Sequence, residues 1–194
     1  NGSENKHYLN KEKKILFIHN PKTAGNTIKE ILNLNKGHTT HVTPSFLIPK
    51  STWESYKTIV SVRNPLDRLI SSYNYHTNPS YNGYYASKFP NLHMMNLEAY
   101  FNIMKKEPFA IRPQVEYTKH LLSIKKIDFI IRYEYLEKDI KILCQEIDLK
   151  YSKLPHLNYS SEKRMTSIND QKESLKKNIF KFYKEDFETF NYSR

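Results

Sequence analysis

One stretch constrains the chain more than any other: Lys14 to Thr27, which reads KILFIHNPKTAGNT. Ile15, Leu16, Phe17 and Ile18 form a short apolar run rich in strand-forming residues, closed by His19-Asn20-Pro21. A run this short and this uniformly apolar suits a strand buried on both faces, as in a parallel sheet. Lys22-Thr23-Ala24-Gly25-Asn26-Thr27 follows, and then Ile28, Ile31 and Leu32 at helical spacing. Strand, tight polar loop and helix in that order aim backbone N–H groups at one point, where phosphate or a similar anion binds. Lys22 adds a full positive charge there, and Thr23 and Thr27 offer hydroxyl donors. A nucleoside-triphosphate loop of the GxxxxGK[ST] kind carries its lysine after the glycines. Here Lys22 precedes the small residues, so that reading does not fit.

A second stretch has the same logic. Lys57 to Arg63 is β-branched and apolar and predicts a strand, which runs into Asn64-Pro65, an N-cap followed by proline at the first helical position. Over the helix expected from Pro65 to about Tyr75, Leu66, Leu69, Ile70 and Tyr73 form the core face. Asn64, Asp67, Arg68 and Ser71 lie on the other side. An arginine at the carboxyl end of a strand, beside a helix N-terminus, is well placed to fork onto a phosphate. Pairing of Arg63 with Asp67 is the plainer alternative.

The remaining pattern is an alternation of strands and helices, which predicts an α/β fold around a parallel sheet. A helix is expected to about Leu34, ended by Asn35-Lys36-Gly37, and a short one after Thr43-Pro44. His76 to Met95 is a polar, tyrosine-rich excursion interrupted by Pro79, Gly83 and Pro90. Helices follow at 96–105 and 113–122, a third strand at 127–132, an amphipathic helix at 134–147 and a last helix from about Asp170 to Phe187. Residues 1–13 are polar and are expected to be a flexible arm, leaving 14–194 as one domain.

Charge narrows the partners. The formal net charge of the 194 residues is +11, which favours an anionic partner. Nucleic acid, an acidic polysaccharide, a membrane surface and a phosphorylated cofactor all qualify on charge alone. The single cysteine, Cys144, shares a helical face with Ile140, Leu143 and Ile147 and is expected to be buried. No apolar run approaches the length of a membrane span, so no membrane insertion is expected.

Taken together, the two anion motifs resemble those of sulfotransferases that use 3′-phosphoadenosine 5′-phosphosulfate (PAPS). Pro21-Lys-Thr-Ala-Gly-Asn-Thr27 is similar to the family's 5′-phosphosulfate loop. Ser71 stands eight positions after Arg63, the family's spacing for holding the 3′-phosphate. Arg112-Pro113-Gln114, Phe129 to Glu134, Leu154-Pro-His-Leu-Asn158 and Tyr183 to Phe187 resemble segments of the carbohydrate-type branch, Golgi and bacterial, in the same order. The likeness runs from Ile15 to Tyr192. Asn26 departs from it, standing where relatives often have Gly, Ser or Thr.

The resemblance implies a single-domain, P-loop-like, three-layer fold with a central parallel sheet flanked by helices. It implies transfer of a sulfuryl group from PAPS to an acceptor hydroxyl, with adenosine 3′,5′-bisphosphate (PAP) as product and no metal. Cofactor binding falls to Lys22, Thr23, Ala24, Gly25, Asn26, Thr27, Arg63 and Ser71, with Lys163 and Arg164 from a covering loop. Lys22 stabilises the leaving phosphate. The acceptor's base lies in a His-x-Thr segment; His41 has the better context and His38 is the alternative. Tyr75, Arg112 and Gln114 are candidates for the acceptor, a glycan or another hydroxyl compound, and Tyr75, Tyr81, Tyr84 and Tyr85 either stack on sugar or pack the excursion. No nucleic-acid partner is implied. The expected location is the cytoplasm for a bacterial chain, an anchored lumenal enzyme being the other case. Two competing classes stay in view: a small-molecule kinase, for which Asp128 is the one acidic metal-ligand candidate, and an RNA-binding module.

Overall fold

The computed structural model describes residues 8–34, 49–123, 126–151, 153–154 and 167–193. They form an α/β structure, as the alternation predicts, and gather into two compact units. The described residues within 1–63 and 114–157 form one, and those within 64–113 and 158–194 the other.

The first unit carries the sheet. Its strands are β1 (Leu9–Asn10), β2 (Ile15–His19), β3 (Lys57–Val62) and β4 (Phe129–Arg132), in the order β1-β2-β3-β4. The three strands expected from the apolar runs pair in parallel, with Phe17 opposite Ile59 and Ile59 opposite Phe129. β1 is an addition. It pairs antiparallel with β2 at the sheet edge, and Asn10 Nδ2 donates to the Leu32 carbonyl at 3.0 Å. Thus part of the expected arm is strand, too short for any periodicity to announce it.

The helices of this unit are α1 (Gly25–Ile31), α2 (Lys50–Ser55), α6 (Lys119–Leu122) and α7 (Leu136–Glu146). Alternate residues Ile15, Phe17, Ile59 and Ile131 point to one face of the sheet. There they meet Ile28 and Leu32 at α1 and Leu136, Ile140, Leu143 and Cys144 of α7. Cys144 is buried, as expected. α2 escapes sequence reading because Trp53 is its one apolar residue. The helix expected over 113–122 is instead a 3₁₀ turn, Gln114–Tyr117, followed by α6. Residues of the helix expected after Thr43-Pro44 lie outside the described ones.

The second unit is helical: α3 (Pro65–His76), α4 (Tyr84–Lys88), α5 (Leu97–Met104), α8 (Glu173–Phe182) and α9 (Lys184–Thr189). Asn64 caps α3 as expected, its Oδ1 accepting from Leu66 N at 2.9 Å. Leu69, Ile70 and Tyr73 join Tyr100, Phe101, Ile179, Tyr183 and Phe187 in one core. Two expectations are corrected here. Arg68, placed on the polar side of α3, is 1% exposed and donates through Nη2 to the Arg112 carbonyl at 2.6 Å. Helix α3 is therefore enclosed on more than its apolar stripe. The excursion 76–95 is not structureless either, since it contains α4 and a 3₁₀ turn at Leu92–Met94, and Tyr85 and Leu92 enter the core.

At the amino ends of the strands, Asp128 N donates to the Thr58 carbonyl at 3.1 Å. In return the Asp128 carboxylate accepts from Thr58 N at 2.6 Å. Thr58 is fully buried, so losing that acceptor leaves a buried N–H unsatisfied, at a cost of about 1–3 kcal/mol. Asp128→Ala should lower the unfolding free energy by that amount in a urea titration.

Candidate functional site

The site is built at the carboxyl ends of β2 and β3. β2 ends at His19, and the chain turns through 20–24 into α1. Two non-glycine residues of this turn, Lys22 (φ 66°) and Ala24 (φ 61°), adopt the left-handed conformation, which costs about 1–2 kcal/mol each. Alternation of handedness along a short loop is how backbone N–H groups are turned toward a common point.

Side chains hold the loop in this shape. Thr23 is fully buried, and its Oγ1 donates to the Asn20 carbonyl at 2.6 Å. Having one proton, that hydroxyl must then accept from Ser61 Oγ, 2.6 Å away. Asn20 Nδ2 donates to the Ser61 carbonyl at 2.8 Å. The Thr23 hydroxyl is thus a fastener between the loop and β3, which corrects its expected use as a donor to an anion. Ala24 is the N-cap of α1 and supplies no capping side chain. Asn26 is exposed, and Thr27 is half-buried in the first turn of α1.

Gly25 has a steric reason. His19 and Phe17 lie on the same face of β2, with ring centroids 6.1 Å apart, and the start of α1 crosses that face. A Cβ on Gly25 would sit 1.9 Å from both Cδ2 and Nε2 of His19. No side chain fits without moving the ring.

Lys22 and Arg63 are brought together. Arg63 Nη1 reaches the Lys22 carbonyl at 3.4 Å. Burial, and then the neighbouring Arg63 guanidinium, pull the Lys22 ammonium down to about 8. Both effects penalise a charged lysine, and a bound anion would relieve the repulsion. Arg63 is fixed from two further sides. Its guanidinium carbon lies 4.0 Å from the centre of the Tyr133 ring. Gln114, fully buried, accepts from Arg63 N at 2.9 Å and donates to Arg63 O at 2.8 Å. Arg63 Nε is buried and has no hydrogen-bond partner among the described residues. A buried guanidinium donor left over beside a lowered lysine is a donor set that fits a phosphate.

The other expected residues are spread. Gln114 supports Arg63 rather than presenting its amide to an acceptor, a correction to its expected role. Ser71 lies half-buried on α3 of the second unit. Arg112 has its guanidinium carbon 5.4 Å from the Phe109 ring centre. Tyr75 is half exposed, whereas Tyr85 is buried and belongs to the core. His38, His41, Lys163 and Arg164 lie outside the described residues. Tyr133 was missed by sequence reading. The register pairs Val62 with Arg132, so Arg63 and Tyr133 are the next residues of adjacent strands, a signal visible only once the strands are aligned.

A largely parallel α/β sheet with a lysine-bearing βα loop and an arginine at the next strand end belongs to the α/β class whose ligands meet the carboxyl ends of the strands. The family model for the sulfotransferase family matches residues 6–193, and the chain belongs to that family. It is an enzyme that transfers a sulfuryl group. Comparison with curated proteins and with solved structures gave no significant match.

The Gly25 geometry is open to a compensation experiment. Gly25→Ala should lower the melting temperature and weaken binding of an anionic nucleotide, because the half-buried His19 ring must move to admit the methyl group. His19→Ala introduced with it should restore most of the melting temperature. If the double variant is no more stable than Gly25→Ala, the clash is not the reason for the glycine.

Proposed function

We propose that the chain transfers the sulfuryl group of PAPS to a hydroxyl of a carbohydrate, releasing PAP. The observation that carries this reading is the pair of cations, Lys22 and Arg63, held side by side at the ends of two parallel strands, with Lys22 lowered by burial and then by Arg63. PAPS supplies an activated sulfuryl group on a leaving 5′-phosphate, together with the 3′-phosphate that distinguishes it from ATP products. Lys22 stabilises the charge that develops on the leaving oxygen. Backbone N–H groups of Thr23 to Thr27 face the 5′-phosphate. Arg63 offers its leftover Nε–H to the 3′-phosphate, and Ser71, eight positions on, adds a hydroxyl. His41 takes the proton of the acceptor hydroxyl, with His38 as the second candidate. Lys163 and Arg164 add charge to the nucleotide, and Arg112 and Tyr75 meet the acceptor.

The kinase alternative loses its one acidic candidate. Asp128 sits at the amino end of β4, opposite the loop edge, and its carboxylate is bonded to Thr58 N. Asp128→Ala should therefore leave turnover unchanged.

Labelled PAPS offered with a panel of glycans tests the reading directly. Wild-type protein should label a glycan, Lys22→Ala should lose most turnover, and His41→Ala should lose on the order of 10²–10⁴-fold while binding PAP normally. His38→Ala should stay active. Undiminished transfer by Lys22→Ala would reduce that residue to a docking charge.

Lys22 also sets a pH dependence. An anion in the site raises the lysine above its free value of about 8, so binding takes up a proton wherever the free lysine is neutral. PAP affinity should be flat from pH 7 to about 8 and fall above it, approaching tenfold per pH unit. Calorimetry across this range should show the fall, and Lys22→Met should bind weakly with no such slope.

A further inference from the structure

Arg63 occupies an exposed position in the logic of the sheet. The last pairs of β3 with its two neighbours are Ser61 with His19 of β2 and Val62 with Arg132 of β4, so Arg63 lies beyond the ladder on both sides. Its main-chain N–H and C=O need partners nonetheless. Gln114 supplies both. Its side-chain amide accepts from Arg63 N at 2.9 Å and donates to Arg63 O at 2.8 Å, which is what a peptide unit of a neighbouring strand would do. The amide is fully buried and sits at the start of a 3₁₀ turn whose Val115 and Tyr117 are also buried. The bracket is therefore anchored.

The side chain is fixed separately. The guanidinium carbon lies 4.0 Å from the Tyr133 ring centre, well inside the range of a cation–π contact, and Nη1 reaches the Lys22 carbonyl at 3.4 Å. Tyr133 opens the 3₁₀ turn Tyr133–Tyr135. An unrestrained arginine loses rotamer entropy on binding; here the Tyr133 ring and the Lys22 carbonyl hold the side chain beforehand, and the buried Nε–H is the donor left over.

We propose that Gln114 and Tyr133 are positioning residues that clamp Arg63, and that this clamp sets the enzyme's preference for a nucleotide bearing a 3′-phosphate. The proposal rests on the reading that Arg63 meets that phosphate. Neither residue touches the reacting atoms; both act through Arg63. The clamp fixes one donor at one place, so its loss should weaken a ligand with a 3′-phosphate and spare one without.

The test is a ratio of affinities, PAP against AMP, measured by calorimetry on the full chain. A ratio cancels general loss of folded protein, which a merely structural role would produce. Arg63→Ala should abolish the preference. Gln114→Met, of similar volume but without the amide, should reduce it about tenfold, the size of one lost hydrogen bond to a charged group, with AMP affinity unchanged. Tyr133→Phe keeps the ring and should keep the preference, whereas Tyr133→Leu should reduce it. This pair needs no buried hydrogen bond removed, so it stands if Gln114→Met fails to fold. A wild-type protein with no preference overturns the reading of Arg63 and the clamp with it. A preference lost in Arg63→Ala but intact in Gln114→Met and Tyr133→Leu overturns the clamp alone.

Discussion

Parallel pairing of β2 with β3, in a register that sets His19 opposite Ser61, is the constraint on which the candidate site depends. It brings the end of one strand, with its loop, beside the end of the next, with its arginine. It also lets Ser61 and Asn20 fasten the loop from across the strand gap. Without that register Lys22 and Arg63 would have no reason to be neighbours, since forty residues of chain separate them and like charges repel. The apolar contacts of Phe17, Ile59 and Ile131 with α1 and α7 hold the register, because a slip by one residue would turn every buried side chain to the wrong face.

The same arrangement is costly in isolation. Two left-handed non-glycine residues, a glycine pressed against an imidazole and a lysine lowered by burial and by a neighbouring cation lie within a few residues of one another. Local strain of this kind persists where the surrounding structure over-determines it, and it concentrates at functional sites. On the function proposed for this site, a bound dianion would offset the electrostatic part by giving Lys22 and Arg63 an opposite charge.

Much of this was legible in the residue order. The short apolar runs ILFI, TIVSV and FIIR read as strands and each is found where expected, β2 and β3 almost wholly buried and β4 half-buried. Asn64-Pro65 marked the start of α3 because an Asx cap and a proline at the first turn satisfy the same two backbone requirements wherever they occur. Elements with little apolar content, β1 and α2, gave no periodic signal. Helical spacing puts Arg68 opposite the core face of α3, yet it is buried, because spacing tells which residues share a face but not how many faces are covered. The Thr23 hydroxyl and the Gln114 amide were assigned to ligands because a side chain's hydrogen-bonding capacity is visible in sequence and its partner is not.

By itself, then, the sequence determined the local chemistry: which segments are strands, where a short polar loop joins a strand to a helix, and where a lysine and an arginine stand relative to their own strands. These follow from short-range sterics and hydrophobic period, which act within a dozen residues. Tertiary structure alone decided that Tyr133 lies over Arg63, that Gln114 stands in for a missing strand, and that His19 dictates a glycine at 25. Those contacts join residues that chain order keeps apart, or depend on the angle at which a helix crosses a strand. Packing fixes such geometry; residue order by itself does not.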